Sequence, residues 1–215
     1  MAVGQRGSVL TFATVLLLNR IEYALMNNAV RAAIQRHVEA RRLRRMGGTM
    51  GGGRALEIGC GRGVGTDLIF EVFGAQSVDA FDLDPRMVVQ ARKRLARYGS
   101  RVRLWVGDAA AIAAPDAIYD AVFDFGIIHH VRDWRRAVKE VHRVLQPGGR
   151  FYAEEALGSL IENPVARLLL EHPRNDRFDA AAFTEELKAS GLEPFAVEAV
   201  LGWVGWFTAR KSLEV

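Results

Sequence analysis

Four glycines stand at alternate positions, 59, 61, 63 and 65, in the segment Ala55-Leu-Glu-Ile-Gly-Cys-Gly-Arg-Gly-Val-Gly65. Glycine lets the backbone approach a ligand with no side chain in the way. A strand that runs through such a loop into a helix puts the loop at the carboxyl end of a sheet, where doubly wound folds bind their ligands. The dinucleotide fingerprint G-x-G-x-x-G, counted from Gly59, needs glycine at 64, and this chain has Val64 there. The preceding strand also carries Glu57, an anion beside the loop. A carboxylate there suits a ligand with an ammonium and a sulfonium better than one with a pyrophosphate, but the loop alone leaves both ligand classes open.

Two aspartates extend the pattern. Asp82 ends a second strand, where its carboxylate can accept both hydroxyls of a ribose. Asp108 follows a third strand in Val106-Gly-Asp-Ala109, placed to accept from an adenine amino group. The plainer alternatives are a turn residue before the helix cap Asp84 for the first, and an ordinary loop aspartate for the second. His129 and His130 open the segment after the fourth strand and are the candidate bases. They equally suit a structural role, holding the next helix to the loop. With five histidines and one cysteine, Cys60, far from this pair in the chain, no metal site is expected.

The elements that must position these residues alternate. Strands are predicted over 55–58, 78–83, 102–106, 121–125 and 150–153, with helices between them. Asp84 caps a helix with Pro85 at its first position, Asp133 and Asp179 cap two more, and glycines 74, 99 and 191 end helices. Residues 146–149 read as a turn into the fifth strand. The last two apolar runs, 195–200 and 203–208, are too close for a parallel crossover and predict an antiparallel hairpin. The fold class is therefore α/β: a doubly wound, mostly parallel seven-stranded sheet with an antiparallel C-terminal hairpin strand. Residues 1–50 form an N-terminal helical arm, and residues 51–215 form the Rossmann-like domain. A helix is predicted over 19–45, followed by a flexible hinge at glycines 47, 48 and 51–53.

Taken together, the segments ALEIGCGRGVGT (55–66), VDAFDLDPRMV (78–88), VGDAAAI (106–112), YDAVFDFGIIHHV (119–131) and LQPGGRF (145–151) resemble the class I S-adenosylmethionine-dependent methyltransferases. The resemblance is strongest to the small-molecule branch that includes the ubiquinone and menaquinone C-methyltransferases. It covers residues 54–156. It implies S-adenosyl-L-methionine as cofactor, with Glu57, Gly59, Gly61 and Gly63 lining its methionine part and Asp82 holding the ribose. Leu83 would pack on the adenine unless it is simply core, and Asp108 and Ala109 would complete the adenine side. In that branch a histidine at the place of His129 is common and in some members acts as a base. Signatures of nucleic-acid methyltransferases are absent: Asp124-Phe-Gly-Ile127 stands where Asn/Asp-Pro-Pro-aromatic would, and Cys60 lies in the cofactor loop. Residues 154–179 depart most from the pattern and should choose the acceptor. Phe125, Trp134, His172 and Phe178 are the candidate acceptor-side residues, some of them expected to be core.

The expected reaction is in-line methyl transfer to a small, largely apolar acceptor with an oxygen, nitrogen or carbon nucleophile. A base matters only where a hydroxyl must lose a proton. The rivals are a cofactor-binding protein without turnover and a nicotinamide-dependent oxidoreductase. Charge divides the chain: residues 1–50 carry eight basic and two acidic residues, a net +6, whereas the remaining 165 residues carry −2. A nucleic-acid partner for the catalytic domain is therefore not expected. The arm, with its apolar run 9–18, is expected to cover the acceptor site and to touch a membrane surface, or else simply to pack on the domain. That run is about half the length a spanning helix needs, lacks a cleavage site, and with the single cysteine points to the cytoplasm.

Overall fold

A computed structural model describes residues 28–162 and 177–213. His172 and the apolar run 9–18 lie outside these residues.

The described chain begins with α1 (Ala29–Ile34), a π-type turn (Gln35–Glu39) and α2 (Ala40–Gly47), one continuous helical run. Asn28 caps it by accepting the Arg31 N–H. Its inward side buries Glu39, Ala40 and Leu43, while Val30, Ile34 and Val38 face outward at four-residue steps. Gly47 ends the run beneath Tyr152, where a β-carbon would stand 2.3 Å from the ring. The glycine-rich stretch read as a hinge is tied down: Met50 N–H donates to the Phe73 carbonyl at 2.8 Å and Gly52 N–H to that of Gly74 at 3.0 Å.

The sheet comprises β1 (Arg54–Ile58), β2 (Ser77–Asp82), β3 (Val102–Val106), β4 (Tyr119–Phe125), β5 (Leu145–Ala156), β6 (Leu192–Val200) and β7 (Val204–Lys211). Their spatial order is β3-β2-β1-β4-β5-β7-β6. The pairs from β3 to β5 are parallel, and β7 runs antiparallel between β5 and β6. The predicted hairpin therefore places its antiparallel strand inside the sheet, not at its edge. Three residues, Leu201–Trp203, join the two strands; Leu201 and Gly202 both have positive φ (53° and 67°), and Trp203 N–H donates to the Val200 carbonyl at 2.9 Å to close the turn.

Helices cover both faces. The helices α5 (Trp134–Val144) and α6 (Ala180–Ala189) bury Trp134, Val138, Phe183 and Leu187 against one face. The other face receives Leu43 of α2, Leu68 of α3 (Val64–Leu68) and Leu95 of α4 (Pro85–Leu95), packed around Phe73, Phe123 and Tyr152. The three predicted aspartate caps hold, each side chain accepting a backbone N–H of its helix's first turn.

One element differs from its prediction in a way that matters. The turn expected at 146–149 is a bulge inside β5: Leu145 pairs with Tyr119 and Arg150 already with Ala121. Pro147 and Gly148 (φ 76°) let the chain loop out without leaving the sheet. The strand also continues past Ala153 to Ala156, so Glu154 and Glu155 belong to it.

Candidate active site

The strand order reverses between β1 and β4, which opens a crevice at their carboxyl ends. The loop after β1 lies there, with Gly59, Gly61 and Gly63 at φ 67°, 51° and 84°, a region that side chains other than glycine's rarely adopt. A β-carbon on Gly59 would stand 2.5 Å from Ile127 in the loop after β4, whereas one on Gly61 would meet nothing within 4 Å. The crevice is tight on the first side and open on the second.

Asp82 joins the ends of three strands. Its Oδ2 accepts Gly61 N–H at 2.8 Å and its Oδ1 accepts Asp84 N–H at 2.9 Å. Its carbonyl accepts Gly107 N–H at 3.1 Å, which brings in the end of β3. Asp82 is thus a turn residue and a loop holder at once. Burial raises its carboxyl pKa, partly offset by these backbone donors. Leu83 beside it is 45 % exposed, which excludes the core alternative. Asp108 is exposed and accepts Ala110 N–H at 2.8 Å, with Ala109 buried behind it.

Glu57 lies at the floor, 2 % exposed and bonded to the Thr66 hydroxyl. Burial pushes its pKa up to about 8; the Thr66 bond opposes this, and Asp82, Asp67 and Asp124 add to it. Gly65 makes room for this carboxylate, because a β-carbon there would stand 2.0 Å from Glu57 Oε1 and 2.6 Å from Phe125. The fourth glycine serves the packing of Glu57 and Phe125 rather than the ligand-facing loop.

Across the crevice, a second set of carboxyls straps the loop after β4. Asp124 accepts Ile127 N–H at 2.9 Å. Glu155 accepts Ile128 N–H at 2.8 Å, His129 N–H at 3.1 Å and, through Oε2, lies 2.5 Å from His129 Nδ1. Asp124 and Glu155 are both fully buried. Burial and the neighbouring Glu155 hold the Asp124 carboxyl well above the usual range, while Glu155 rises to about 7. The His130 ring lies 4.1 Å from that of His129, centroid to centroid.

Residues 55–149 match the sequence profile of a family described as a methyltransferase domain. The demethylmenaquinone methyltransferase of Thermus thermophilus is 34 % identical over 150 residues, covering 65 % of this chain and 67 % of that protein. The chain belongs to the S-adenosylmethionine-dependent methyltransferases. A Mycolicibacterium smegmatis protein named as a probable S-adenosylmethionine-dependent methyltransferase is 37 % identical over 147 residues, or 68 % of this chain. The chain spans about half of that relative's length, 53 %. The fold matches that of the Burkholderia thailandensis 1,6-didemethyltoxoflavin-N1-methyltransferase, solved with bound 1,6-didemethyltoxoflavin and S-adenosylhomocysteine. The TM-score is 0.64 at 23 % identity, covering 88 % of this chain and 81 % of that one.

The residues present fit the cofactor of this methyltransferase family. Glu57 is a buried carboxylate whose hydrogen bond is to a hydroxyl and whose charged neighbours are acidic, an environment that a ligand cation would relieve. The glycine loop leaves open backbone beside Asp82, and Leu83 offers an exposed apolar face next to it.

The acceptor-side candidates are dispersed. Phe125 is buried against Gly65 under the cofactor loop. Trp134 and Phe178, 2 % and 4 % exposed, pack on each other with ring centroids 4.7 Å apart, within the core. The sequence reading missed Asp124, which holds Ile127, Glu155, which holds His129, and the half-buried pair Arg31–Glu154, which docks α1 on the end of β5 at 3.4 Å. Two adjacent glutamates ending an apolar run, Tyr152-Ala-Glu-Glu155, were the available signal.

Proposed function

We propose that the protein transfers the methyl group of S-adenosylmethionine to a small, largely apolar acceptor bearing an oxygen, nitrogen or carbon nucleophile. The observation that carries this is the glycine loop held by Asp82 beside the buried Glu57, with the loop after β4, which carries Ile127 and His129, packed against it through Ile127. When bound, the cofactor supplies an electrophilic methyl on a positively charged sulfur. The chain's own part is alignment and exclusion of water. Glu57, Gly59, Gly61 and Gly63 face the methionine end; Asp82 takes the ribose, and Leu83, Asp108 and Ala109 the adenine. His129, with His130 second, takes the proton where the nucleophile is a hydroxyl. Phe125 borders the acceptor from beneath the cofactor loop, while Trp134 and Phe178 stand in the core on the other face of the sheet and contribute through packing alone. The proposal also gives His172 a part in acceptor choice and the N-terminal arm, residues 1–50, the role of covering the acceptor.

Calorimetry with S-adenosylhomocysteine and with a nicotinamide dinucleotide tests the cofactor. Binding of the dinucleotide alone would overturn it in favour of an oxidoreductase. A screen of quinols, phenols, amines and lipids with labelled cofactor then separates an enzyme from a protein that binds cofactor without turnover.

A second proposal concerns place. Val30, Ile34 and Val38 form an exposed apolar stripe, and the exposed Arg41 and Arg45 continue it at helical spacing. Among the described residues no helix is long and apolar enough to cross a membrane. We place the protein in the cytoplasm, with this stripe resting on an anionic membrane surface. Sedimentation with anionic vesicles at low salt tests it: unbound protein would exclude the contact.

A further inference from the structure

Glu155 is acceptor-rich ground for three donors at once. Oε1 takes the Ile128 N–H at 2.8 Å; Oε2 takes the His129 N–H at 3.1 Å and stands 2.5 Å from Nδ1 of the same residue. An ionised carboxylate can only accept, so Nδ1 facing it must carry the hydrogen. In a neutral imidazole the other nitrogen, Nε2, is then the basic one. Glu155 itself is anchored in β5, at the position after Glu154, which pairs with Phe125 of β4. The carboxylate is therefore fixed by the sheet, and the loop residue is fixed by the carboxylate.

Asp124 explains why Glu155 stays in its acceptor role. Asp124 Oδ1 is used by Ile127 N–H at 2.9 Å, whereas Oδ2 is buried with no donor in reach. A carboxylate oxygen in that position is costly unless it carries a proton. Burial and the neighbouring Glu155 both favour the protonated form of Asp124, and Asp124 in turn favours ionisation of Glu155. One carboxyl keeps the proton so that its neighbour can remain an anion against the imidazole.

We infer that Glu155 is the positioning residue for His129, fixing its ring as the Nδ1–H tautomer so that Nε2 is the nitrogen that receives the proton of a hydroxyl acceptor. The role rests on His129 being the base. As the acceptor oxygen becomes methylated, its proton ends on Nε2, Nδ1 keeps its own, and the resulting imidazolium faces the Glu155 carboxylate. A purely structural strap would rest on the two backbone N–H bonds alone and would leave turnover indifferent to which ring nitrogen carries the hydrogen.

The tautomer is directly measurable. In long-range ¹H–¹⁵N spectra of the full chain at pH 8.5, with the His129 signals assigned by loss in His129→Gln, the neutral ring should favour Nδ1–H by about tenfold or more, as a hydrogen bond to a charged acceptor allows. A ring in the Nε2–H form would overturn the inference with no variant needed. In Glu155→Gln the single amide oxygen can serve either Ile128 N–H or the two donors of His129, and the acceptor charge is gone in both cases. The Nδ1–H preference should then fall by about tenfold, with affinity for S-adenosylhomocysteine within about twofold of the original. An undiminished preference in Glu155→Gln would also overturn it. Neither measurement uses an acceptor, so failure of the tautomer is distinct from failure of His129 as base, which turnover of His129→Ala decides separately.

Discussion

The carboxylate of Asp82 accepts the backbone N–H of Gly61 at 2.8 Å, so the residue that ends one strand holds the loop that follows another. Its other oxygen holds the turn into α4 through Asp84 N–H. Removing it should affect the loop before any ligand arrives. Asp82→Ala is expected to lower stability by about 1–3 kcal/mol, the usual cost of losing hydrogen bonds to a charged group. S-adenosylhomocysteine affinity should fall about tenfold or more by calorimetry. Unchanged affinity would remove Asp82 from the cofactor site.

Gly61 and Gly65 should fail in different ways. At Gly61 a β-carbon meets nothing, but φ is 51°, so Gly61→Ala costs about 1 kcal/mol of backbone strain. Its methyl would project into the crevice, and binding should suffer more than folding. At Gly65 a β-carbon would overlap Glu57 Oε1 and Phe125, both buried. Gly65→Ala should lower stability by about 1–3 kcal/mol through overpacking. Urea denaturation and calorimetry on the pair separate the two effects.

The contrast between these glycines shows what the sequence could convey. Their alternate spacing announced a ligand loop, and the run of strand and helix patterns announced the sheet, because both are local periodicities. Which glycine faces ligand and which makes room for Glu57 depends on Phe125, sixty residues along the chain. The same holds for His129. Its position after the fourth strand was legible, whereas its partner Glu155 comes from the next strand and required knowing that β5 runs past Ala153. The bulge at Gln146–Gly149 hid that, since Pro147 and the glycines read as a stop. The C-terminal part of the helical arm was legible as a helix, but the burial of Ala40 and Leu43 in the sheet's core was not, because a short helix with four arginines in eight positions reads as solvated.

Glu57 and Glu155 make stability and binding depend on pH in opposite senses. Both have folded pKa values, about 8 and about 7, above the ordinary glutamate value of 4.5. The folded state therefore binds protons more tightly than the unfolded one. Their contribution to stability is fully present below about pH 4.5 and is lost as pH rises through 7 and 8. The melting temperature of the ligand-free protein should fall between pH 5.5 and 8.5, less steeply in Glu57→Gln. Affinity for a cationic ligand should instead rise over the same range as Glu57 ionises. Melting curves and calorimetry across that range check both signs. A flat stability profile with pH-independent binding would contradict the burial of these acids.

Arg31 stands between two carboxylates, Glu39 on its own helical run and Glu154 at the end of β5. Burial pushes the Glu154 carboxyl well above its ordinary range; Glu39 adds to this, and Arg31 and the Trp206 indole N–H at 3.0 Å counter it. Arg31→Met would leave two acids facing each other in a buried place. A loss of about 3 kcal/mol is expected, recovered in part by Glu154→Gln in the same chain. Additive effects in the double-mutant cycle would show that the arm is not held through this pair. A truncation beginning at Gly51 should fail to fold, because it deletes Ala40, Leu43 and the Gly47 carbonyl that accepts from Tyr152 at 3.0 Å. Removal of residues 1–27 is the cleaner test of a cover over the acceptor.

The acceptor class is the most exposed prediction. Residues 51–215 carry −2, so that region lacks the general positive surface that a nucleic-acid phosphate backbone demands. The loop after β4 presents Ile127 against the cofactor loop and His129 on its carboxylate strap. A small molecule with an apolar body and one nucleophilic atom fits that combination. Labelled cofactor should transfer to members of a quinol, phenol, amine and lipid panel, and not to RNA or protein. For a hydroxyl acceptor, His129→Ala should slow turnover by about a hundredfold or more with cofactor affinity nearly intact, the signature of a lost general base. His130→Ala should do less, since it is the other histidine that the strap holds. Normal turnover in His129→Ala would leave alignment alone as the protein's contribution. Robust transfer to RNA or protein, with none to any small molecule, would overturn the acceptor class.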